Sequence, residues 1–132
     1  PMIFGASEAW YAKPDAGALI VSPAEEHAVE PHDAYPDDMT LAQGMARYEG
    51  CVTEPVTRLL SSWAGLRTFA PDRTLVLGPE PSQPDFIWCG GQGGYGMQSS
   101  PAAGRLLADL ISGTTPVIEG SHVAALSPAR FR

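Results

Sequence analysis

The sequence predicts a small α+β fold built from strands, turns and few helices. Its 132 residues include 13 Pro and 14 Gly, more than a compact helical protein would contain, and both residue types favour turns. Near its end the chain runs from an apolar, strand-like segment through a glycine-rich turn into an amphipathic helix. A length of 132 residues fits one ordinary domain with a modest core.

One hairpin is predicted near the start of the chain. Residues 9–13 and 17–22 are rich in β-favouring side chains, and the turn formers at 14–16 separate them. Residues 23–38 follow, and they contain several prolines and many of the acidic residues of the chain. We therefore expect a solvated loop after the hairpin.

A helix and two strands are predicted in the middle of the chain. The helix spans residues 39–49, with Asp38 as its N-terminal cap and Gly50 as its stop. Its inward face consists of Leu41, Met45 and Tyr48. Alternating side chains at 56–61 predict one strand, and residues 75–77 predict another that ends before a Gly-Pro pair.

The clearest unit lies near the end of the chain and has the order strand, glycine loop, helix. Residues 86–89 predict a buried strand in which Cys89 serves as a small hydrophobe. A helix over residues 100–112 follows, with Ser99 or Ser100 as its cap. The face predicted to be buried consists of Ala103, Leu106, Leu107, Leu110 and Ile111. Arg105 and Asp109 lie on the opposite face, which is predicted to be exposed to solvent.

Charge and composition argue against several classes of partner. The net charge is −7, and residues 1–50 hold nine acidic side chains against two basic ones. Such a surface repels a phosphate backbone, so nucleic acid is not an expected partner. No window approaches the roughly 20 apolar residues that a membrane span needs. Cys51 and Cys89 lack metal-ligand spacing, so no metal site is predicted.

The start of the chain carries no targeting signal. It lacks both the basic segment and the apolar region of a signal peptide, and the two cysteines read as free thiols. We therefore expect a cytoplasmic protein. The chain begins at Pro1, which suggests a piece of a longer polypeptide.

The glycine loop carries the chemistry that the sequence suggests. Residues 91–96 read G-x-G-x-x-G between a strand and a helix. Glycines let backbone N–H groups approach a ligand closely, and the helix N-terminus favours an anion or a polarised oxygen. The loop is therefore a candidate cradle for an oxyanion or for the edge of a flavin.

Two alternatives remain open at this point. A compact nucleotide-binding domain would use Gly91 to Gly96 together with a second strand at 116–119 that ends in Glu119. A small non-enzymatic domain would bind another protein through its acidic face, with the glycine loop as a plain turn. Binding of NAD without FAD would favour the first alternative.

Three motifs resemble the C-terminal signature of the D-amino-acid oxidase and glycine oxidase superfamily of flavoproteins. They are Trp63-Ala64-Gly65-Leu66-Arg67, then Asp72-Arg73 with Val76-Leu77-Gly78, and then Gly91-Gln92-Gly93-Gly94-Tyr95-Gly96. The matching order and spacing run from about residue 63 to 113. Asp72 and Arg73 are expected to shape a turn, and Arg73 stands where the family usually has a small residue.

The resemblance implies an FAD-dependent enzyme that oxidises the C–N bond of an amino acid or related amine by hydride transfer to flavin. Arg67 would bind the substrate carboxylate, and the carbonyl of Gly94 would accept a hydrogen bond from the substrate amine. The implied flavin contacts are Gly93, Gly94, Tyr95, Gly96, Met97 and Gln98. The backbone N–H groups of the last three would face the pyrimidine edge of the flavin ring.

The same resemblance implies that the chain is one part of a two-domain protein. Residues 1–80 would supply part of the antiparallel sheet of the substrate-binding domain, and residues 81–132 the last strand, glycine loop and helix of the FAD-binding domain. The N-terminal FAD-binding half would be missing. We therefore expect weak or no FAD binding and no activity from the isolated chain, and self-association as a homo-oligomer through an exposed edge.

Overall fold

The computed structural model describes residues 1–132, which divide into two compact units, Pro1–Leu66 and Arg67–Arg132. The chain forms two small antiparallel sheets and three α-helices. This confirms the predicted mixture of helix and antiparallel strand. The assignment of residues 1–80 and 81–132 to separate family domains stays a prediction. No helix has both the length and the apolar character that crossing a bilayer demands.

The first unit contains a three-stranded sheet in which β1 (Ile3–Phe4), β2 (Tyr11–Asp15) and β3 (Ala18–Ser22) are adjacent in order. The predicted hairpin is confirmed, but its turn is two residues long rather than residues 14–16. Ala16 and Gly17 form the turn with φ of 46° and 82°. A two-residue turn with positive φ at both positions matches the twist of the flanking strands.

Helix α1 (Asp38–Glu49) follows in the same unit and ends at Gly50 as predicted. Its cap is Asp37 rather than Asp38, because the Asp37 carboxylate accepts the N–H of Thr40 at 2.7 Å. The ring of Tyr48 meets that of Trp10 edge to face, with centroids 5.4 Å apart. Trp10 is only 6% exposed, so this contact lies at the core of the unit.

The strand predicted over residues 56–61 is absent. Residues 55–70 form neither strand nor helix, and most of the apolar side chains in this stretch are exposed, among them Leu59 at 51%, Leu60 at 62% and Trp63 at 65%. An alternating pattern describes a strand with two different faces, but the strand forms only where a neighbour satisfies its backbone groups. No other strand of the chain pairs with this segment.

The second unit opens with a two-stranded antiparallel ribbon of β4 (Val76–Glu80) and β5 (Gln83–Gly90). Strand β4 continues through the Gly-Pro pair that was predicted to end it. The strand predicted at 86–89 is confirmed as part of β5, but its predicted burial is wrong, since Phe86 is 50% exposed, Trp88 41% exposed and Cys89 also exposed. A two-stranded ribbon has no further strand beside it and leaves much of its surface uncovered.

Helix α2 (Gly96–Ile111) begins four residues before the predicted start. Ser99 and Ser100 therefore lie inside the helix, where their hydroxyls donate to the carbonyls of Tyr95 and Met97. Pro101 also lies inside, and it lacks the N–H that would reach the Met97 carbonyl. The Ser100 hydroxyl satisfies that carbonyl at 3.0 Å, which compensates for the missing bond.

The core of the second unit is where α2 meets the ribbon. Leu77 and Leu106 are each 2% exposed and pack with Ala103, which confirms the predicted face at Ala103 and Leu106. Ile111, which was predicted on the same face, is 66% exposed. Asp109, which was assigned to the wet face, is only 6% exposed. Its carboxylate is buried because Arg105 donates to both of its oxygens at 2.9 and 3.1 Å, and this pairing offsets the cost of desolvation.

The chain closes with α3 (Gly120–Leu126) and a 3-10 helix, Pro128–Phe131. Residues 116–119 do not form a strand, and Glu119 is instead the residue that precedes α3. In a dinucleotide-binding fold, the phosphate loop connects a strand of a parallel sheet to the next helix. Both sheets of this chain are antiparallel. The second strand that a compact nucleotide-binding domain would require at 116–119 is therefore not formed.

Candidate functional site

The glycine loop, residues 91–95, packs against the irregular segment 67–70 of the same unit. The N–H of Gly93 donates to the carbonyl of Thr68 at 2.9 Å, which fixes the loop to this segment. Within the loop, the N–H of Tyr95 donates to the carbonyl of Gln92 at 2.9 Å and forms a tight turn. The loop is therefore held at its centre by a backbone hydrogen bond and folded by a second one.

Gly93 is required by close approach and by backbone conformation together. A β-carbon at this position would lie 2.5 Å from Cε1 of the Phe69 ring, which is closer than two carbon atoms approach without a clash. Its φ of +51° also lies in the region that side chains disfavour. The aromatic ring thus covers the glycine, and sequence spacing alone gave no signal that Phe69 would do so.

Arg67 and Gly94, the two residues predicted to contact substrate, lie side by side. The position of a β-carbon on Gly94 would be 3.3 Å from Nη1 of Arg67. The Arg67 side chain is exposed, and its guanidinium carbon lies 5.5 Å from the centre of the Phe69 ring. The structure thus places a guanidinium against the backbone of the glycine loop, while the roles of both residues stay predictions.

The remaining predicted contact residues form the start of α2. Tyr95 is the cap residue and makes no side-chain capping bond, and Gly96, Met97 and Gln98 form the first turn. The N–H groups of a first turn have no partner within the helix. Met97 is 94% exposed and Tyr95 43%. An uncapped, accessible helix start beside a glycine loop fits an anionic or polarised oxygen, as the edge of a flavin presents.

The turn at Asp72 and Arg73 continues the segment that covers the loop. The N–H of Arg73 donates to the carbonyl of Ala70 at 2.8 Å, and Arg73 has a φ of 61°, so the predicted turn is confirmed. A positive φ of this size is uncommon for a residue with a long side chain. The Arg73 guanidinium carbon lies 4.2 Å from the centre of the Phe69 ring and so covers the same aromatic side chain.

Two carboxylates near the ends of β4 have strongly lowered pKa values. Hydrogen bonds from Arg130 lower the pKa of Asp72 to about 2 from an ordinary value of 3.8. The pKa of Glu80 falls to about 2 from 4.5, first because Trp88 donates to it and then because Ser82 does. Both carboxylates thus favour their charged forms in the folded state.

Acid should weaken the second unit through these two groups. A carboxyl with a lowered pKa contributes stability that is complete above its unfolded value and is lost as the pH falls through the folded value. We expect the urea midpoint to fall between pH 4.5 and pH 2, the window that the ordinary and lowered pKa values of Asp72 and Glu80 define. The double variant Asp72→Asn with Glu80→Gln should lose less stability over that window, and an unchanged acid slope in the variant would contradict this assignment.

The chain matches a protein family and is similar to individual proteins over most of its length. Residues 3–110 match the family described as FAD dependent oxidoreductase. The chain is 29% identical over 128 residues to the hydrogen cyanide synthase subunit HcnC of Pseudomonas aeruginosa, covering 96% of this chain and 29% of that protein. It is also 29% identical over 129 residues to the tRNA 5-methylaminomethyl-2-thiouridine biosynthesis bifunctional protein MnmC of Thiobacillus denitrificans, covering 92% of this chain and 21% of that protein. The chain therefore spans less than a third of the length of these relatives.

Proposed function

Because the chain belongs to the family of FAD-dependent oxidoreductases, we propose that it supplies the substrate-side arginine and the flavin-edge loop of an enzyme that oxidises the C–N bond of an amino acid or related amine. The observation that carries this proposal is the contact between Arg67 and Gly94, with Nη1 3.3 Å from the β-carbon position of the glycine. In this position Arg67 would hold a carboxylate next to a backbone that could meet both the amine and the flavin.

The start of α2 suits the flavin. Gly96, Met97 and Gln98 offer first-turn N–H groups that no side chain caps, and the first turn contains no acidic residue that would repel negative charge. A helix carries roughly half a positive charge at its N-terminus. These N–H groups would stabilise the negative charge that gathers at the flavin edge when it is reduced.

Arg67 suits the substrate carboxylate. A planar guanidinium can donate two parallel, charge-assisted hydrogen bonds to a carboxylate, which fixes the orientation of the molecule as well as its position. The Gly94 carbonyl would then accept a hydrogen bond from the substrate amine. With both ends held, the α C–H bond has one orientation, and such positioning contributes strongly to rate.

When bound, FAD would supply the oxidant for this reaction, as an acceptor of hydride. The substrate loses its α-hydrogen with the bonding electron pair, the nitrogen lone pair completes a C=N bond, and a nitrogen-bound proton leaves to solvent. No side-chain nucleophile is needed. The task of the chain is to bind, orient and stabilise charge, which matches a site made of backbone groups and one guanidinium.

The names of the two relatives support a nitrogen-centred substrate. One is named for the synthesis of hydrogen cyanide and the other for the biosynthesis of a methylaminomethyl nucleoside. Each name refers to a compound that contains a carbon–nitrogen bond. An amino acid or amine is therefore the substrate class that we propose, rather than an alcohol or hydroxy acid.

The test is reduction of bound FAD in the flavoprotein that contains this chain. Under anaerobic conditions, a panel of D- and L-amino acids, glycine and N-methylated amines should include a compound that bleaches the flavin absorbance. Hydroxy acids with the same side chains are the matched control and should leave the absorbance unchanged. Bleaching by hydroxy acids alone, or by no amine in the panel, would overturn the proposed substrate class.

The isolated chain of 132 residues should bind FAD weakly or not at all. It offers one glycine loop and one helix start, and it lacks the parallel strand-loop-helix unit that holds the dinucleotide half of the cofactor. Titration followed by flavin fluorescence, with NAD as the control ligand, measures this directly. Stoichiometric FAD in the purified chain would contradict the prediction, and tight NAD binding without FAD would revive the nucleotide-binding alternative.

A further inference from the structure

The last residues of the chain hold the segment that covers the glycine loop. Arg130 donates from Nε to one oxygen of Asp72 at 2.6 Å and from Nη2 to the other at 3.1 Å. Nη2 also donates to the carbonyl of Thr74 at 2.9 Å, and Nη1 donates to the carbonyls of Leu126 and Ser127 at 2.9 and 3.1 Å. The side chain is 13% exposed. Arg130 therefore uses all three nitrogens of its guanidinium in one largely buried arrangement.

Arg130 itself lies beyond residue 110, where the match with the family ends, whereas its partners Asp72 and Thr74 lie within the match. It joins the C-terminal 3-10 helix to the turn at 71–74, which directly follows the segment 67–70. That turn closes on Ala70 through the Arg73 N–H, and Thr68 accepts the N–H of Gly93. A continuous run of backbone thus leads from the Arg130 contacts to Arg67.

We infer that Arg130 is a positioning residue that, through Asp72 and the segment 67–74, holds Arg67 against the glycine loop. What Arg67 binds there rests on the proposed function, but the positioning itself does not. Thr68 is held by its bond to Gly93, and the turn at 71–74, which Arg130 anchors through Asp72 and Thr74, holds the other end of the segment that begins at Arg67.

Arg132 provides a matched control in the same C-terminal segment. It forms an ion pair with Glu80 and donates to the hydroxyl of Ser82 at 3.1 Å, at the far end of β4. Replacing it removes an arginine–carboxylate contact without touching the turn at 71–74. A difference between Arg130 and Arg132 variants therefore reports the location of the contact and not merely the loss of an ion pair.

The experiment is amide hydrogen exchange followed by NMR on the full chain of 132 residues, without flavin or substrate. The Gly93 amide reports the bond to Thr68, and the Leu106 amide in the core of α2 reports overall stability. Arg130→Ala should speed Gly93 exchange at least about tenfold more than Leu106 exchange. Arg132→Ala should change the two amides by the same factor. Arg130→Lys keeps the charge but not the fork, so it should also speed Gly93 selectively, and it serves if Arg130→Ala fails to fold.

Equal acceleration of Gly93 and Leu106 in the Arg130 variants would show a merely structural role and overturn the inference. Selective acceleration of Gly93 by Arg132→Ala would overturn it as well. In the flavoprotein that contains this chain, Arg130→Lys should raise KM for the amino acid by a larger factor than it lowers kcat. Because the exchange measurement needs no cofactor, a failure of the proposed amine oxidation leaves it intact, and the two hypotheses fail separately.

Discussion

Replacing Arg67 with methionine should lower kcat/KM for an amino-acid substrate by about 100-fold or more. Two charge-assisted hydrogen bonds to a carboxylate are lost, and a loss of about 3 kcal/mol in transition-state binding corresponds to roughly this factor. KM should rise because the carboxylate is held in the ground state too, and kcat should fall because the α C–H bond loses its orientation. Steady-state kinetics on the flavin-loaded protein that carries this chain measure both.

Arg58→Met is the matched control for this change. Arg58 is an exposed arginine on the irregular stretch that precedes Arg67. Its replacement should leave kcat/KM within about twofold of the wild type, since surface substitutions of this kind change free energies by about 0.5 kcal/mol or less. Arg67→Lys should fall between the two, because an ammonium keeps the charge and loses the fork. Equal effects of Arg67→Met and Arg58→Met on kcat/KM would show that Arg67 does not bind the substrate.

Replacing Gly93 with alanine should destabilise the second unit by about 2–5 kcal/mol and release the glycine loop from the segment 67–70. The new methyl group would lie 2.5 Å from the Phe69 ring, and the backbone at φ +51° would be strained even if the ring moved away. The Gly93 N–H would no longer reach Thr68. Urea denaturation gives the stability change, and loss of bound FAD in the flavoprotein gives its functional effect.

Gly104→Ala is the control for Gly93→Ala. Gly104 lies in the middle of α2, and a β-carbon there would meet no atom within 4 Å. Alanine should therefore stabilise the helix by roughly 0.5–1 kcal/mol. A Gly93→Ala variant as stable as the Gly104→Ala variant would show that Phe69 does not cover the loop in solution.

Local patterns predicted the elements whose stabilising contacts are close in sequence. The hairpin of the first unit, α1 with its glycine stop, and α2 with its Leu106 face were all predictable, because turn chemistry and helical periodicity act over a few residues. The strand at 56–61 was not, because alternation says nothing about whether a neighbouring strand is available. Burial of Asp109 was also missed, since it depends on Arg105 folding over the carboxylate.

The residues of the candidate site also fall into those that a local sequence pattern predicts and those that depend on distant contacts. The glycine loop is one contiguous motif, so the sequence located it, although the helix after it begins at Gly96 and not at residue 100. The resemblance added Arg67. Phe69 and Arg130 gave no signal of their own. Phe69 matters because a glycine 24 residues later approaches its ring, and Arg130 matters because it reaches Asp72 across 58 residues. Contacts of this kind follow from the tertiary fold and from no local pattern.

The long reach of Arg130 has a consequence for how the second unit folds. Leu77 pairs with Cys89 across a short hairpin, and α2 follows at once, so these elements can assemble from nearby parts of the chain. The contact between Arg130 and Asp72 closes a loop of 58 residues, and its entropic cost is met only after that assembly exists. The contact between Arg130 and Asp72 therefore slows local opening of the segment that carries Arg67 once the unit has formed. The rate of forming the unit is set by the hairpin and the helix.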